Sequence, residues 1–172
     1  MKKKKKDDFM PFIVYLMRHG KSSWEVPGLP DRERPLLPQG IERTEKRARQ
    51  LRERGVQLDA VWTSDAVRAA QTAEIVRNVF DLAKGRVFVE PVIYDAEHVN
   101  DLRRIVRSIP DEFETVLLVG HNPVLTEFAQ RFTYDLLDEM KTSQIIEVGV
   151  GREEGMRQVY CPLWETGRVR DV

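Results

Sequence analysis

Phe12-Ile13-Val14-Tyr15-Leu16-Met17 followed at once by Arg18-His19-Gly20 is the stretch that decides the fold. Six nearly continuous apolar, β-prone residues are what a central strand buried on both faces requires. Polar residues directly after such a strand place side chains at its carboxyl end. Working outward, short β-like runs alternate with helical patterns, which predicts a parallel sheet with helices on its faces. A loop rich in Pro and Gly leads to a helix over residues 39–54, with Ile41, Thr44, Ala48 and Leu51 on one stripe and Gly55 to end it. Ala60-Val61-Trp62-Thr63 reads as a second strand. Ser64 or Asp65 caps the next helix, whose inward residues are Ala69, Ala73, Val76 and Phe80. Residues 87–89 give a third strand. Asn100 is the expected cap of a helix carrying Leu102, Ile105, Val106 and Ile109. Thr115-Val116-Leu117-Leu118-Val119 is a fourth buried strand, and Gly120-His121-Asn122-Pro123 follows, with Asn122 as cap and Pro123 as first residue of a helix bearing Leu125, Phe128, Ala129 and Phe132. Residues 143–150, and a weaker run at 157–161, complete the expected strands. The fold class is α/β, a three-layer α/β/α sandwich with a mainly parallel central sheet.

The chain has 172 residues, the size of one domain, with residues 1–11 expected as a charged tail and residues 12–172 as a single domain. Lysine and arginine total 28 and aspartate and glutamate 28, so no global field favours nucleic acid. The balance hides a polarity: residues 1–86 carry 19 bases and 12 acids, and the remainder 9 and 16. Five of the bases are Lys2 to Lys6, a block that reads as a solvated tail. The helix around Arg43, Arg47 and Arg54 has glutamates interspersed and reads as a solvated face. No apolar run approaches the roughly 20 residues of a membrane span, and no signal-peptide pattern precedes Phe12, so the expected location is cytoplasmic, with no membrane partner. The lone Cys161 closes no internal disulfide.

Arg18-His19, Ser64 to Arg68 and His121-Asn122 each fall just past a predicted strand end. In an open parallel sheet those ends form one crevice, so the three clusters are expected to converge. Arg68 and Asn122 would also stand at helix starts, where free N–H groups and the positive helix end favour an anion. Guanidinium groups match phosphate oxygens in bidentate fashion, and a carboxylate fits as well. The histidine beside them favours phosphoryl transfer, because neutral imidazole is a nucleophile near pH 7 whose N–P adduct water can attack. His121, if a bound dianion holds it protonated, adds a third cation.

The order Leu16-Met17-Arg18-His19-Gly20-Lys21-Ser22-Ser23-Trp24, Asp31, Arg34-Pro35-Leu36, Gly40, Thr63-Ser64, Arg68-Ala69, Gln71-Thr72-Ala73 and Val119-Gly120-His121-Asn122-Pro123 resembles the histidine phosphatase superfamily, the phosphoglycerate mutase-like group. Within it, the short single-domain phosphohistidine phosphatase branch (SixA-type) is most similar, from about Phe12 to Val150. The resemblance implies a metal-independent phosphatase without cofactor: His19 is the phosphorylated nucleophile, Arg18 and Arg68 bind the phosphoryl oxygens, and His121 completes the pocket. Asn122, Ser22 and Trp24 are the added substrate contacts. Ser64-Asp65 departs from the Ser-Pro common in the family, and Asp65 is expected to face away from the anion.

Larger relatives carry a carboxylate after the third strand that protonates a departing alkoxide. Tyr94-Asp95-Ala96-Glu97-His98-Val99-Asn100 is the matching stretch, with Glu97, then His98, as candidates and a plain charged loop as the competing reading. A phosphohistidine leaving group needs such an acid less. Trp24 either lines the pocket mouth and contacts a protein substrate or covers the sheet edge. The expected function is removal of phosphate from protein phosphohistidine through a covalent His19 intermediate. A phosphatase for small phosphomonoesters and a noncatalytic phosphate-binding module are the alternatives. The expected partner is a phosphorylated protein or small phosphorylated molecule, and a monomer is favoured.

Overall fold

The apolar runs and amphipathic stripes resolve into a sheet covered on both faces. The computed structural model describes residues 12–24, 27–132, 136–150 and 170–171. The elements in chain order are β1 (Phe12–Arg18), α1 (Pro38–Glu53), β2 (Ala60–Thr63), α2 (Val67–Val79), β3 (Val87–Val89), α3 (Val92–Asp95), α4 (Val99–Ser108), β4 (Thr115–Gly120), α5 (Val124–Gln130), β5 (Ile145–Val150) and β6 (Arg170–Asp171). A 3-10 turn, Asp31–Glu33, interrupts the loop between β1 and α1. The strand order is β3-β2-β4-β1-β5-β6. The first four in that order are mutually parallel, whereas β5 runs antiparallel to β1 and β6 antiparallel to β5.

Period-2 alternation along the buried strands splits the core in two. Val14, Leu16, Trp62, Val116 and Leu118 pack on one face with Leu102, Ile105, Val106, Leu125 and Phe128 of α4 and α5. Tyr15, Met17, Val61, Leu117 and Val119 pack on the other with Ala48, Leu51, Ala69, Ala73 and Val76 of α1 and α2. This is the expected three-layer sandwich. Each fully buried Leu or Phe contributes about 1.5–3 kcal/mol through apolar area removed from water.

Several boundaries differ from the sequence expectation. Ile41 is exposed, and the inward stripe of α1 is Gly40, Thr44, Ala48 and Leu51. In α2, Val79 is buried, and Phe80, just past the helix, packs partly buried against the same core cluster. His98, not Asn100, precedes α4: the Asp101 carboxylate reaches back to accept the N–H of His98 at 3.0 Å and of Glu97 at 3.2 Å. Neither Ser64 nor Asp65 is the N-cap of α2, which is Ala66, although the Ser64 Oγ accepts the Ala66 N–H at 3.3 Å. Pro123 is the N-cap of α5, and the Asn122 side chain is engaged elsewhere. Ser143 belongs to a turn with φ 60°, so β5 starts at Ile145. The four-residue α3 was not expected, since one turn shows no period. The tail and the run at 157–161 lie outside the described residues. Among the described residues no helix is long and apolar enough to cross a membrane.

Candidate active site

Register explains why the three polar clusters meet. Arg18 of β1 pairs with Gly120 of β4, and Thr63 of β2 pairs with Val119, so the next residues, His19, Ser64 and His121, emerge side by side. The His19 N–H continues the ladder onto the Gly120 carbonyl at 3.2 Å, and the Ser64 N–H onto that of Val119 at 3.3 Å. The imidazoles of His19 and His121 stand 5.0 Å apart between centroids. Glycine is required beside them. A Cβ on Gly40 would lie 2.2 Å from the Lys21 carbonyl, and one on Gly20 2.7 Å from Thr44 Oγ1, so these two positions let α1 seat its first turn against the loop after His19.

The His19 ring is held in one tautomer with its other nitrogen left as an acceptor. Its Nδ1 lies 2.7 Å from the Gly20 carbonyl, which can only accept, so the proton sits on Nδ1 and the lone pair on Nε2. Burial lowers the His19 pKa to about 4; the Gly20 bond opposes this, and the charges of Arg68, Arg18 and Arg34 add to the lowering. The ring is therefore neutral near pH 7. Nε2 accepts a hydrogen bond from Arg68 Nε at 3.2 Å. Arg68 is 4% exposed in the first turn of α2. Its Nη1 donates to the Asp31 carbonyl at 2.5 Å and its Nη2 to Asp31 Oδ2 at 2.8 Å.

Asp31 is the organiser that residue-by-residue reading left without a role. Its Oδ1 accepts Arg34 Nε at 2.9 Å and Nη2 at 2.6 Å, and its Oδ2 also accepts the Tyr94 hydroxyl at 2.8 Å. Burial pushes this carboxyl upward, but the bonds from Arg34, Tyr94 and Arg68 outweigh it and hold the group well below the usual carboxylate range. Tyr94, from α3, sets its ring edge against His121 at 5.3 Å and is covered by Arg32 at 4.1 Å. Arg32 pairs with Asp95 at 2.7 Å and with Asp65 at 3.5 Å, so Asp65 is neutralised at the rim.

The remaining expected residues fall into distinct positions. Arg18 Nη1 donates to the Met140 carbonyl at 2.6 Å and to Glu139 Oε1 at 3.2 Å. Asn122 Nδ2 donates to the same two acceptors at 2.9 and 3.1 Å, so Asn122 and Arg18 share one anchor. Ser64 Oγ is 2.6 Å from His121 Nε2. Burial, then His19 and Arg68, lower the His121 pKa to about 3 against the raising influence of Asp31, so without a ligand it is neutral rather than a third cation. Ser22 Oγ accepts Arg34 Nη1 at 2.8 Å and thus supports Arg34. Trp24 is 77% exposed, with the Arg34 guanidinium 3.5 Å from its ring centroid. Glu97 and His98 are exposed, and their described backbone bonds go to Asp101.

Arg18 Nε and His121 Nδ1 are buried without a hydrogen-bond partner, as are Arg32 Nε and Asp65 Oδ1, which face each other at 3.5 Å as an ion pair. Buried polar groups are nearly always paired, so a donor on a fixed cation and a nitrogen on the facing imidazole mark where a ligand's oxygens complete the set. Among the described residues no group of three or more His, Cys, Asp or Glu side chains gathers as a metal ion requires. Asp31, Arg34, Tyr94 and Glu139 escaped the sequence reading as pocket residues. Asp31 and Arg34 were visible only as parts of an ordered motif, Tyr94 only as the first residue of the stretch read for a proton donor, and nothing in the sequence pointed to Glu139.

Comparison with known proteins agrees with this geometry. Residues 14–88 match the pattern of the histidine phosphatase superfamily (branch 1). An uncharacterized protein of Mycobacterium tuberculosis is 30% identical over 122 residues, which is 66% of this chain and 67% of that one. Another, from Picosynechococcus, is 28% identical over 126 residues, 70% of this chain and 73% of its own length. Among solved structures, one assigned as the phosphohistidine phosphatase SixA of Agrobacterium tumefaciens superimposes with a TM-score of 0.71 at 26% identity, covering 81% of this chain and 92% of that one. The protein histidine phosphatase SixA in complex with tungstate gives 0.70 at 24% identity, covering 82% and 94%. With Arg18, His19 and Arg68 inside the matched pattern and its sheet shared with these structures, the chain belongs to branch 1 of the histidine phosphatase superfamily.

Proposed function

We propose that this protein is a phosphatase that takes a phosphoryl group onto His19 Nε2 and passes it to water, with phosphohistidine on a protein as its substrate. The observation that carries the reading is the His19 tautomer: Nδ1–H donated to the Gly20 carbonyl leaves the Nε2 lone pair facing a cluster of guanidinium groups. The SixA structure of similar fold is a complex with tungstate, a tetrahedral oxyanion, which supports a phosphoryl ligand for this chain. Arg18 Nε and His121 Nδ1, unpartnered without ligand, are the atoms an anion would satisfy.

In the first half-reaction Nε2 attacks phosphorus and the bond to the leaving nitrogen breaks. Arg68 Nε, which donates to that lone pair beforehand, turns its hydrogen bond to a phosphoryl oxygen as the N–P bond forms. The phosphorylated ring carries positive charge, and its Nδ1–H on the Gly20 carbonyl disperses it. The guanidinium groups act on the equatorial oxygens, where charge gathers in the transition state. In the second half-reaction water attacks phosphorus, the N–P electron pair returns to Nε2, and the protons of water stay with phosphate and solvent.

The leaving group separates the substrate classes. An alkoxide needs a proton at departure, and a positioned donor supplies about 10²–10⁴-fold. Asp31 is held ionised, Tyr94 donates its proton to Asp31, and the Glu97 side chain is exposed. A phosphohistidine ring protonated on its far nitrogen leaves as neutral imidazole without such a donor. The test is a rate comparison among a phosphohistidine carrier protein, a phosphohistidine peptide and a panel of phosphomonoesters. The carrier protein is expected to give the highest kcat/KM. Preference for a monoester would replace phosphohistidine by a small metabolite, and no turnover by the folded protein would leave a phosphate-binding module.

A further inference from the structure

Ser64 is the first residue past β2, and the pairing of Thr63 with Val119 sets it beside the strand end that releases His121. Its side chain is out of water, at 0% exposure. The Oγ accepts the Ala66 N–H at 3.3 Å and lies 2.6 Å from His121 Nε2. A buried hydroxyl needs an acceptor for its own proton, and the Ala66 N–H can only donate. Of these two contacts, His121 Nε2 is the one that can take the hydroxyl proton. A neutral imidazole has one accepting and one donating nitrogen, so an accepting Nε2 puts the ring proton on Nδ1. Nδ1 is the ring nitrogen that is buried without a partner. The opposite tautomer fails twice. It leaves the Ser64 hydroxyl without an acceptor among the described residues, and it offers an anion a second lone pair beside that of His19, whose ring centroid is 5.0 Å away.

We propose that Ser64 is a positioning residue that holds His121 in its Nδ1–H tautomer, so that the ring meets the bound anion as a neutral hydrogen-bond donor, an inference that rests on the phosphatase reading above for the identity of that anion. The two facing imidazoles then divide the work. His19, locked by the Gly20 carbonyl, presents a lone pair, and His121, locked by the Ser64 hydroxyl, presents an N–H. The Tyr94 ring packs edge-on against His121 at 5.3 Å and restrains its plane. A donor aimed in advance at an oxygen needs no reorganisation as charge builds there. A neutral imidazole also keeps its remaining proton. His121 therefore contributes a hydrogen bond without protonating a leaving group, which suits a leaving imidazole better than a leaving alkoxide.

The test uses the full chain with nitrogen-15-labelled histidine near neutral pH, and tungstate as the anion probe. The chain has three histidines, so the ring nitrogen–proton correlations of His121 are assigned by their loss in His121→Gln. In the free wild type, His121 is expected to be protonated on Nδ1 and bare on Nε2. Ser64→Ala is expected to mix in the Nε2–H form and to weaken tungstate binding about tenfold, the size of one hydrogen bond to a charged group, while the His19 signals keep their own tautomer. The wild-type spectrum decides the matter even where Ser64→Ala fails to fold. Protonation of free His121 on Nε2, or on both nitrogens, would overturn the proposal and leave His19 as nucleophile untouched. A folded Ser64→Ala with unchanged tautomer or unchanged tungstate affinity would overturn it as well. Failure of the wild type to bind tungstate at all would overturn the phosphatase reading together with the donor role of His121.

Discussion

Acidification from pH 7 to pH 5 tests whether the two site imidazoles are buried as neutral bases. In the unfolded chain each titrates near 6.5, whereas the folded values are about 4 for His19 and about 3 for His121. Between these limits the unfolded state binds more protons than the folded state, so stability is fully present above pH 6.5 and is lost as the pH falls toward the folded values. Integrating from pH 7 to 5 gives about 2 kcal/mol for each ring and about 4 kcal/mol together. That is a large fraction of the roughly 5–15 kcal/mol of a typical domain. Asp31 does not contribute in this window: its folded pKa is depressed, so its share is lost only as pH falls below the ordinary carboxylate value. The measurement is urea denaturation at half-unit pH steps in phosphate-free buffer, followed by tryptophan fluorescence. The His19→Gln, His121→Gln double variant is expected to flatten the slope whatever its absolute stability. A wild-type stability constant within about 1 kcal/mol across the window, or a slope that survives in the double variant, would refute the reasoning.

Further outcomes follow from individual contacts. His19→Ala is expected to abolish turnover while retaining vanadate binding, whereas Arg68→Ala weakens both, since one removes the bond-forming nitrogen and the other the charge on the oxygens; equal vanadate affinity in the two variants contradicts this. Asp31→Asn removes the carboxylate between Arg68 and Arg34. Asp31 is 43% exposed, so the loss is expected at about 2 kcal/mol rather than the 3–5 of a fully buried pair, with kcat down at least tenfold; an unchanged kcat would show that Arg68 needs no such support. Glu97→Gln is expected to leave phosphohistidine turnover within about twofold, because leaving imidazole needs no donor, and a tenfold loss would contradict that.

Much of the molecule was legible because its signals are periodic. The unbroken apolar run before Arg18 and the runs ending at Thr63 and Gly120 are what strands buried on both faces require, and a parallel sheet then forces their successors together. His19, Arg18, Arg68 and His121 became neighbours on that ground alone. What stayed hidden has no period. The 3-10 turn that delivers Asp31 and the single turn that delivers Tyr94 are too short to leave a stripe, and Glu139 reaches Arg18 across 121 positions of sequence. Caps were misplaced where several polar residues competed: Asp101 reaching back to His98 displaced Asn100 from that role. Ser22 and Asn122 lie where expected in the chain, yet both spend their hydrogen bonds on neighbours, Ser22 on Arg34 and Asn122 on the anchor of Arg18. For Ser22 the burial of Arg34 is the reason, since a guanidinium nearly out of water needs acceptors for its donors.

The central claim is that a phosphorus atom becomes bonded to His19 Nε2. Rapid mixing with a phosphohistidine carrier protein, an alkaline quench that preserves N–P bonds, and peptide mass spectrometry measure it directly. The phosphoryl group is expected on the peptide containing His19 within a single turnover, disappearing as inorganic phosphate forms, and absent in His19→Ala. Turnover of the same substrate with no phosphorylated His19 at any quench time, together with an active His19→Ala variant, would contradict it.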